Sequence, residues 1–322
     1  MSVMSTTCKP AAITTAGLTK SYGDKPVLEG LDLTIPEGSV YALLGPNGAG
    51  KTTTVEILTT LIDGDGGTAT VGGHDVARGG AAVRDLIGLT GQFAAVDGLL
   101  SAAENLQLMA DLCHLPKAEG RRRAARLLER FELTEAAGKP SSAYSGGMRR
   151  KLDLAMSLMG DPRIIFLDEP TTGLDPRSRR TMWEIIRSLV ADEGVTIFLT
   201  TQYLEEADQL ADRIGVLHEG RLVAEGTSDE LKAMIHGGHI SLRFNSTAEL
   251  QRAAAQFASI TRDDEELTLQ IPSDGTVATL RAVLDVLDAA GATPASLSLH
   301  TPDLDDVFLA LTGVDKKQEI TR

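Results

Sequence analysis

The 322-residue sequence is poor in cysteine, in aromatic residues and in long apolar runs, and each shortage closes off a class of protein. Its two cysteines, Cys8 and Cys113, stand far apart and form no CxxC pair. Neither a zinc site nor a disulfide framework is therefore expected, and a reducing cytoplasm suits the chain. No apolar run approaches the roughly 18 residues of a membrane-spanning helix. The opening MSVMSTTCKP also lacks the apolar stretch of a signal peptide, so the chain is not expected to cross a membrane by itself. Positive charge is in deficit, with 31 Lys and Arg against 45 Asp and Glu and a formal net charge of −14. Binding a polynucleotide through counterion release needs clustered basic residues, so no nucleic-acid partner is expected. What is present, 42% hydrophobic and 24% charged residues, is an ordinary globular composition, and the length suits two domains of unequal size.

From about Ile13 to Ser39 the chain reads as short strands broken by the turns GDKP and PEGS, an antiparallel β layer. Next comes VYALLG, an apolar run that enters a glycine-rich loop and then the helical TTTVEILTTLI. The runs IGLTGQ, IIFLDEP, TIFLTTQ and RIGVLHEG are short and apolar on both faces, as buried strands of a parallel sheet are. Between Gln92 and Asp161 the period changes to three and four residues, which predicts a helical insertion over about 93–160. The run Arg121, Arg122, Arg123 lies on one of these helices and reads as a solvated face. After the helical SDELKAMIH, the pair Gly237 and Gly238 marks a boundary. The remainder, from HISLRF to DLDDVFLALTG, reads as a small β-α-β-α-β-α domain without evident catalytic residues, followed by a tail.

Three stretches carry chemistry. GPNGAGKTT matches G-x-x-x-x-G-K-[ST] at Gly45, Gly50, Lys51 and Thr52. Glycines let a backbone close around phosphate oxygens, and successive amides with a helix N-terminus favour the negative charge. Lys51 reaches the terminal phosphates, and the Thr52 hydroxyl ligates Mg²⁺. In RIIFLDEP, a buried strand ends on Asp168 and Glu169, one carboxylate for the metal and a second to polarise an attacking water. In AYSGGMRRKLDLAMSL, Ser145, Gly146 and Gly147 open an amphipathic helix and form a second anion cradle. One nucleotide site has no need of two cradles.

The ordered set of a phosphate loop, the glutamine loop GQFAAVDG, SGG, FLDEP, TTGLDP and LTTQYLEEAD resembles the ATP-binding subunit of an ABC transporter, over roughly Thr15 to Thr227. TTQYLEEADQLADRI and the ending LDDVFLALTG are similar to the daunorubicin/doxorubicin-resistance type of drug-export ATPase. The resemblance implies an α/β fold: a P-loop ABC ATPase domain over 1–236, with a parallel core sheet, an antiparallel β layer and the helical insertion. A small C-terminal α/β domain for assembly or regulation would occupy 239–314, with a tail at 315–322. It implies that ATP and Mg²⁺ are bound and that two copies pair head to tail, the Ser-Gly-Gly of one covering the ATP on the phosphate loop of the other. Pro46, Asn47, Gly48, Ala49 and Thr53 would complete the nucleotide loop. Tyr22 would stack on adenine, Gln92 would sense Mg²⁺, water and the membrane partner, and Asp175 would join the two subunits. The implied function is ATP hydrolysis that drives export of a hydrophobic drug or antibiotic through a separate transmembrane permease, at the cytoplasmic face of the cell membrane.

Two positions depart from the wider family. The signature Leu-Ser-Gly-Gly-Gln reads Tyr144, Ser145, Gly146, Gly147, Met148, so its last side chain cannot donate a hydrogen bond. The histidine after LTT is Gln202, which can donate to a phosphate but cannot be protonated near neutral pH. Two alternatives stand beside the transport reading. A soluble ABC ATPase without a permease is disfavoured by the single phosphate loop and the lack of sustained heptads. A non-catalytic ATP-binding regulator is kept open by Gln202 and opposed by the intact Lys51, Asp168 and Glu169.

Overall fold

A computed structural model of the chain describes residues 10–235 and 238–312. Cys8, Gly237 and the tail at 315–322 lie outside the described residues. The chain divides into two compact units, Met1–Ser228 and Asp229–Arg322.

Among its described residues the first unit holds two sheets. Strands β1 (Ala11–Tyr22), β2 (Lys25–Pro36), β4 (Gly66–Val71) and β5 (His74–Asp75) make an antiparallel layer in the order β2-β1-β4-β5. β2 alternates between faces, burying Leu31, Leu33 and Ile35 against solvated Asp32 and Thr34, the two-residue period of a half-buried strand. The second sheet contains β3 (Val40–Leu44), β6 (Ile87–Thr90), β7 (Ile164–Asp168), β8 (Thr196–Thr201), β9 (Arg213–His218) and β10 (Arg221–Gly226), in the order β10-β9-β3-β8-β7-β6. β9, β3, β8, β7 and β6 run parallel, while β10 closes one edge antiparallel to β9. β3, β7 and β8 are buried at every residue, as strands covered on both faces must be. A chain with only 4% aromatic residues places three of them in one ladder across these strands. Tyr41 stacks on Phe198 at 5.8 Å between ring centroids, and Phe198 meets Phe166 at 5.6 Å.

Helix α1 (Lys51–Leu58) follows β3, α2 (Gly80–Leu86) precedes β6, and α6 (Pro176–Glu193) and α7 (Leu204–Leu210) follow β7 and β8. Three helices lie between β6 and β7: α3 (Ala102–Leu112), α4 (Lys117–Arg130) and α5 (Gly146–Ser157). α3 starts with a reciprocal capping box, Ser101 and Glu104 each satisfying the other's backbone amide. On α4, Arg121 and Arg122 are solvated, but Arg123 turns inward to donate to the Met159 carbonyl at 2.9 Å. The three arginines thus do not form one solvated face, because positions two apart on a helix point in different directions. Among the described residues, no helix is long and apolar enough to cross a membrane.

The second unit contains α8 (Ser228–Ala233) from its second residue on, β11 (His239–Arg243), α9 (Thr247–Ala254), β12 (Thr261–Asp263), β13 (Thr268–Pro272), α10 (Val277–Ala289), β14 (Ser296–His300) and α11 (Leu304–Thr312). Among its described residues four strands form an antiparallel sheet in the order β12-β13-β11-β14 around Ile240, Leu242, Leu250, Leu269, Ile271 and Leu287. The predicted β-α-β-α-β-α order lacks β12. The acidic DDEE hides a hairpin, in which the Asp263 carboxylate accepts the amides of Glu265 and Glu266.

Candidate active site

Parallel strands share a carboxyl edge, so the sequence pieces that follow them meet there. Leu44 pairs with Thr201, Asp168 with Thr200, and Thr90 with Leu167. One edge therefore carries the phosphate loop after β3, the acid pair at the end of β7, Gln202 after β8 and Gln92 after β6.

The loop Gly45–Gly50 turns back on itself before α1. Gly50, immediately before the helix, has φ +108, and a Cβ there would lie 2.7 Å from Leu28 and 2.8 Å from the Val27 carbonyl. At Gly45 a Cβ would come within 2.4 Å of the Leu217 carbonyl. Both positions demand glycine, one for conformation and close packing, the other for packing alone. Ala49 is buried while Asn47 and Gly48 are open to solvent. Lys51 is buried, with Nζ donating to the Gly45 carbonyl at 2.8 Å and the Pro46 carbonyl at 3.1 Å. Glu169 Oε1 lies 3.4 Å from the same nitrogen. Burial pushes the Lys51 pKa down, and Glu169 and Asp168 oppose that shift. An ammonium ringed by its own loop's carbonyls is poised for an anion that would replace them. Thr52 donates from Oγ1 to Asp168 Oδ2 at 3.0 Å, and Thr53, the next residue of the helix, is half-buried.

Asp168 is fixed from two sides, since Thr200 Oγ1 donates to its other oxygen, Oδ1. Glu169 has φ +48, the left-handed region that a side chain rarely adopts. Its amide donates to the Thr200 carbonyl at 3.1 Å and lies as close to the Thr200 hydroxyl. Thr172 Oγ1 reaches Glu169 Oε2 at 3.3 Å. Such strain persists where neighbours over-determine the backbone, and it concentrates at functional sites.

Thr200 and Arg150 escaped the sequence reading. Thr200 carried a signal, a hydroxyl pair closing the apolar run TIFLTT. Arg150 is buried and donates to backbone carbonyls of Gly91, Asp168, Glu169 and Pro170. As one basic residue of three in a row, one turn inside an amphipathic helix, it carried no local signal.

The remaining predicted residues sit as follows. Tyr22, half exposed at 51%, stands at the β1–β2 hairpin end, with Lys20 Nζ 5.7 Å from its ring centroid. This is the end of β2 whose Val27 and Leu28 crowd Gly50. Gln92 is exposed in the loop after β6, and Gln202 is half-buried after β8. Ser145 caps α5, accepting from the Met148 amide at 3.2 Å, which the change at Met148 leaves intact because only backbone donates. Gly146 faces open space, whereas a Cβ on Gly147 would meet Ser178 Oγ at 2.7 Å. Asp175 caps α6 through the amides of Arg177 and Ser178 and the Ser178 hydroxyl, and the Ser178 hydroxyl bond leads the causes that lower its pKa. Tyr144 buries its ring and donates to the Ala136 carbonyl at 2.6 Å, so tyrosine at this signature position is an anchor for the helical region. Among the described residues no cluster of three His, Cys, Asp or Glu could hold a metal alone. The Thr52 hydroxyl and Asp168 carboxylate suit Mg²⁺, which takes few protein ligands beside substrate phosphates.

The family of ABC transporters matches residues 28–172, from β2 to just past the acid pair. The daunorubicin resistance ATP-binding protein DrrA3 of Streptomyces coeruleorubidus is 50% identical over 95% of this chain and 97% of its own. The doxorubicin resistance ATP-binding protein DrrA of Mycobacterium tuberculosis (strain ATCC 25618 / H37Rv) is 41% identical over 96% of each. Among solved structures, a dimeric ATP-binding cassette in a post-hydrolysis state, bound to ADP and Pi, is similar with a TM-score of 0.61 and 26% identity, over 67% of this chain and 98% of that one. With the fold, the strand-edge site and full-length relatives in agreement, the chain belongs to the ATP-binding subunits of ABC transporters.

Proposed function

We propose that this chain hydrolyses ATP to power export of a hydrophobic drug, antibiotic or similar compound through a separate transmembrane permease that holds it at the cytoplasmic face of the membrane. The observation that carries the reading is the cluster of buried Lys51, Glu169 and Asp168 with exposed Thr52 at one strand edge, in a chain whose relatives are named for daunorubicin and doxorubicin resistance. Thr52, Asp168 and Gln92 would hold Mg²⁺, which would supply positive charge to the nucleotide's phosphates. Lys51 and backbone amides of the loop between Asn47 and Thr53 orient the phosphates. Glu169 takes the proton of the attacking water, and Gln202 donates to the γ-phosphate. Tyr22 offers its exposed face to the adenine. Ser145, Gly146 and Gly147 serve the nucleotide of a second copy paired head to tail, with Asp175 at the junction. The second unit, whose sequence has no phosphate loop and whose acidic run at the end of β12 is exposed rather than buried, serves assembly or regulation. Cells producing the chain together with its partner permease should hold less daunorubicin, read from its fluorescence. The Lys51→Ala chain should not lower it, and equal accumulation with wild type and Lys51→Ala would sink the export reading.

Gln202 decides how turnover depends on pH. A carboxamide stays neutral, whereas histidine titrates near its ordinary pKa of about 6.5. Loss of a hydrogen bond to a charged group costs about 1.5 to 3 kcal/mol. Gln202→Ala should slow turnover by that amount, and Gln202→His should remain active with a new pH dependence near the imidazole pKa. ATPase rate against pH for the three proteins checks this, and a Gln202→Ala profile that overlays wild type would remove Gln202 from the site.

A further inference from the structure

A guanidinium has five N–H donors in a rigid plane, and Arg150 uses that geometry across two loops at once. Nε donates to Pro170 O at 2.8 Å, Nη1 to Gly91 O at 2.6 Å, and Nη2 to Asp168 O at 3.0 Å and Glu169 O at 3.2 Å. Its acidic partner is Asp153, one turn along α5, at 3.3 Å. The other oxygen of Asp153 accepts the Ala95 amide at 2.9 Å. The segment that carries Gln92 is thereby bracketed, at Gly91 by the arginine and at Ala95 by the aspartate.

We propose that Arg150 is a positioning residue for hydrolysis, fixing the Glu169 backbone and the Gln92 loop to the helix that begins at Ser145. Glu169 sits at φ +48, and the two ends of its strained backbone are gripped by different elements: its amide by Thr200 and its carbonyl by Arg150. A buried ion pair serving stability alone would be complete with Asp153. Four additional carbonyls, all from residues at or beside the acid pair and Gln92, give the side chain a larger task. Buried charge is costly unless every donor is used, and here the costs are offset by bonds to the parts that must be held still. The phosphate loop leans instead on Val27, Leu28 and Leu217, none of which touches this guanidinium in the bonds above. Loss of Arg150 should therefore disturb the rate of the chemical step and spare ATP affinity. Because α5 also carries Ser145, movement of that cradle onto a partner's nucleotide and alignment of this chain's own Glu169 become one rigid displacement. The inference rests on the reading of Asp168 and Glu169 as the catalytic acids.

Lysine keeps the charge but offers three donors from one point, so it cannot bridge the two loops. In the full-length chain with its permease, Arg150→Lys should lower kcat by about tenfold or more, the scale of a small misplacement of a reacting group. The Kd for a fluorescent ATP analogue should stay within about threefold of wild type. A kcat within about twofold of wild type, or an equal loss of affinity and rate, would overturn the proposal. Glu169→Gln is measured alongside: if it hydrolyses ATP at the wild-type rate, the acid-pair reading fails and the proposal falls with it, whatever Arg150→Lys does. If circular dichroism shows Arg150→Lys unfolded, Asp153→Asn takes its place, since asparagine keeps the Ala95 acceptor and the side-chain size while removing the charge. It should reproduce the split between kcat and affinity on a smaller scale, and an unchanged kcat would overturn the proposal.

Discussion

Glu169→Gln should bind ATP as wild type does and hydrolyse it at least about 10²-fold more slowly, the lower end of what a positioned general base contributes. The substitution keeps the shape and length of the side chain and removes only its capacity to take a proton. Oε1 can still face Lys51 Nζ, 3.4 Å away, and the φ +48 backbone keeps its bonds to Thr200 and Arg150. Binding survives because the phosphate loop is shaped by glycines at 45 and 50, and because Asp168 still opposes the burial-driven fall of the Lys51 pKa when Glu169 loses its charge. With hydrolysis blocked, the ATP-bound dimer should accumulate and elute from a sizing column as twice the mass of the nucleotide-free chain. Phosphate release in a single turnover gives the rate directly, and a Glu169→Gln rate near wild type would move the base to another residue.

Most of this site was legible in the sequence because its parts are local. A phosphate loop is one turn between a strand and a helix, and the acid pair is one strand end, so Lys51, Thr52, Asp168 and Glu169 could be named from spacing. The parallel sheet was legible too, since strands buried on both faces read as uninterrupted apolar runs. What stayed hidden depends on contacts across long stretches of sequence. Thr200 meets Asp168 only because β7 and β8 are neighbours, and Arg150 meets Gly91 only because α5 packs behind the carboxyl edge. Nothing in the local sequence shows that an arginine one turn into an amphipathic helix is buried rather than solvated. The reverse error occurred at Arg123, where three consecutive arginines suggested one wet face although helical geometry fans them apart. In the second unit the missed strand β12 is only three residues long and wholly exposed, so it has no apolar period to announce it.

The arrangement of the two cradles makes the last expected result a gain rather than a loss. Gly146→Glu should leave the isolated chain folded, since a side chain at that position enters open space and Ser145 keeps its cap on α5. In a head-to-tail dimer the new carboxylate would face the partner's γ-phosphate, and like charges brought together in a dry interface cost several kcal/mol. Lys51→Ala removes the buried ammonium from the phosphate loop, so this variant should also be inactive by itself. When the two inactive chains are mixed, each mixed dimer pairs the intact phosphate loop of the Gly146→Glu chain with the intact signature of the Lys51→Ala chain. Its other site carries both lesions. Random pairing at equal concentrations puts half of the dimers in the mixed class with one good site in two, so single-turnover phosphate release should reach about a quarter of the wild-type amplitude. Single turnover is the right readout because it requires one competent site and no coupling between the two. If each chain instead used its own signature for its own ATP, every site in every dimer would contain one lesion, and mixing would recover nothing. A null result with both variants folded, and with mixed dimers demonstrated by differential tagging, would therefore discard the head-to-tail arrangement and return the Ser145–Gly147 turn to the role of a helix cap packed on Ser178.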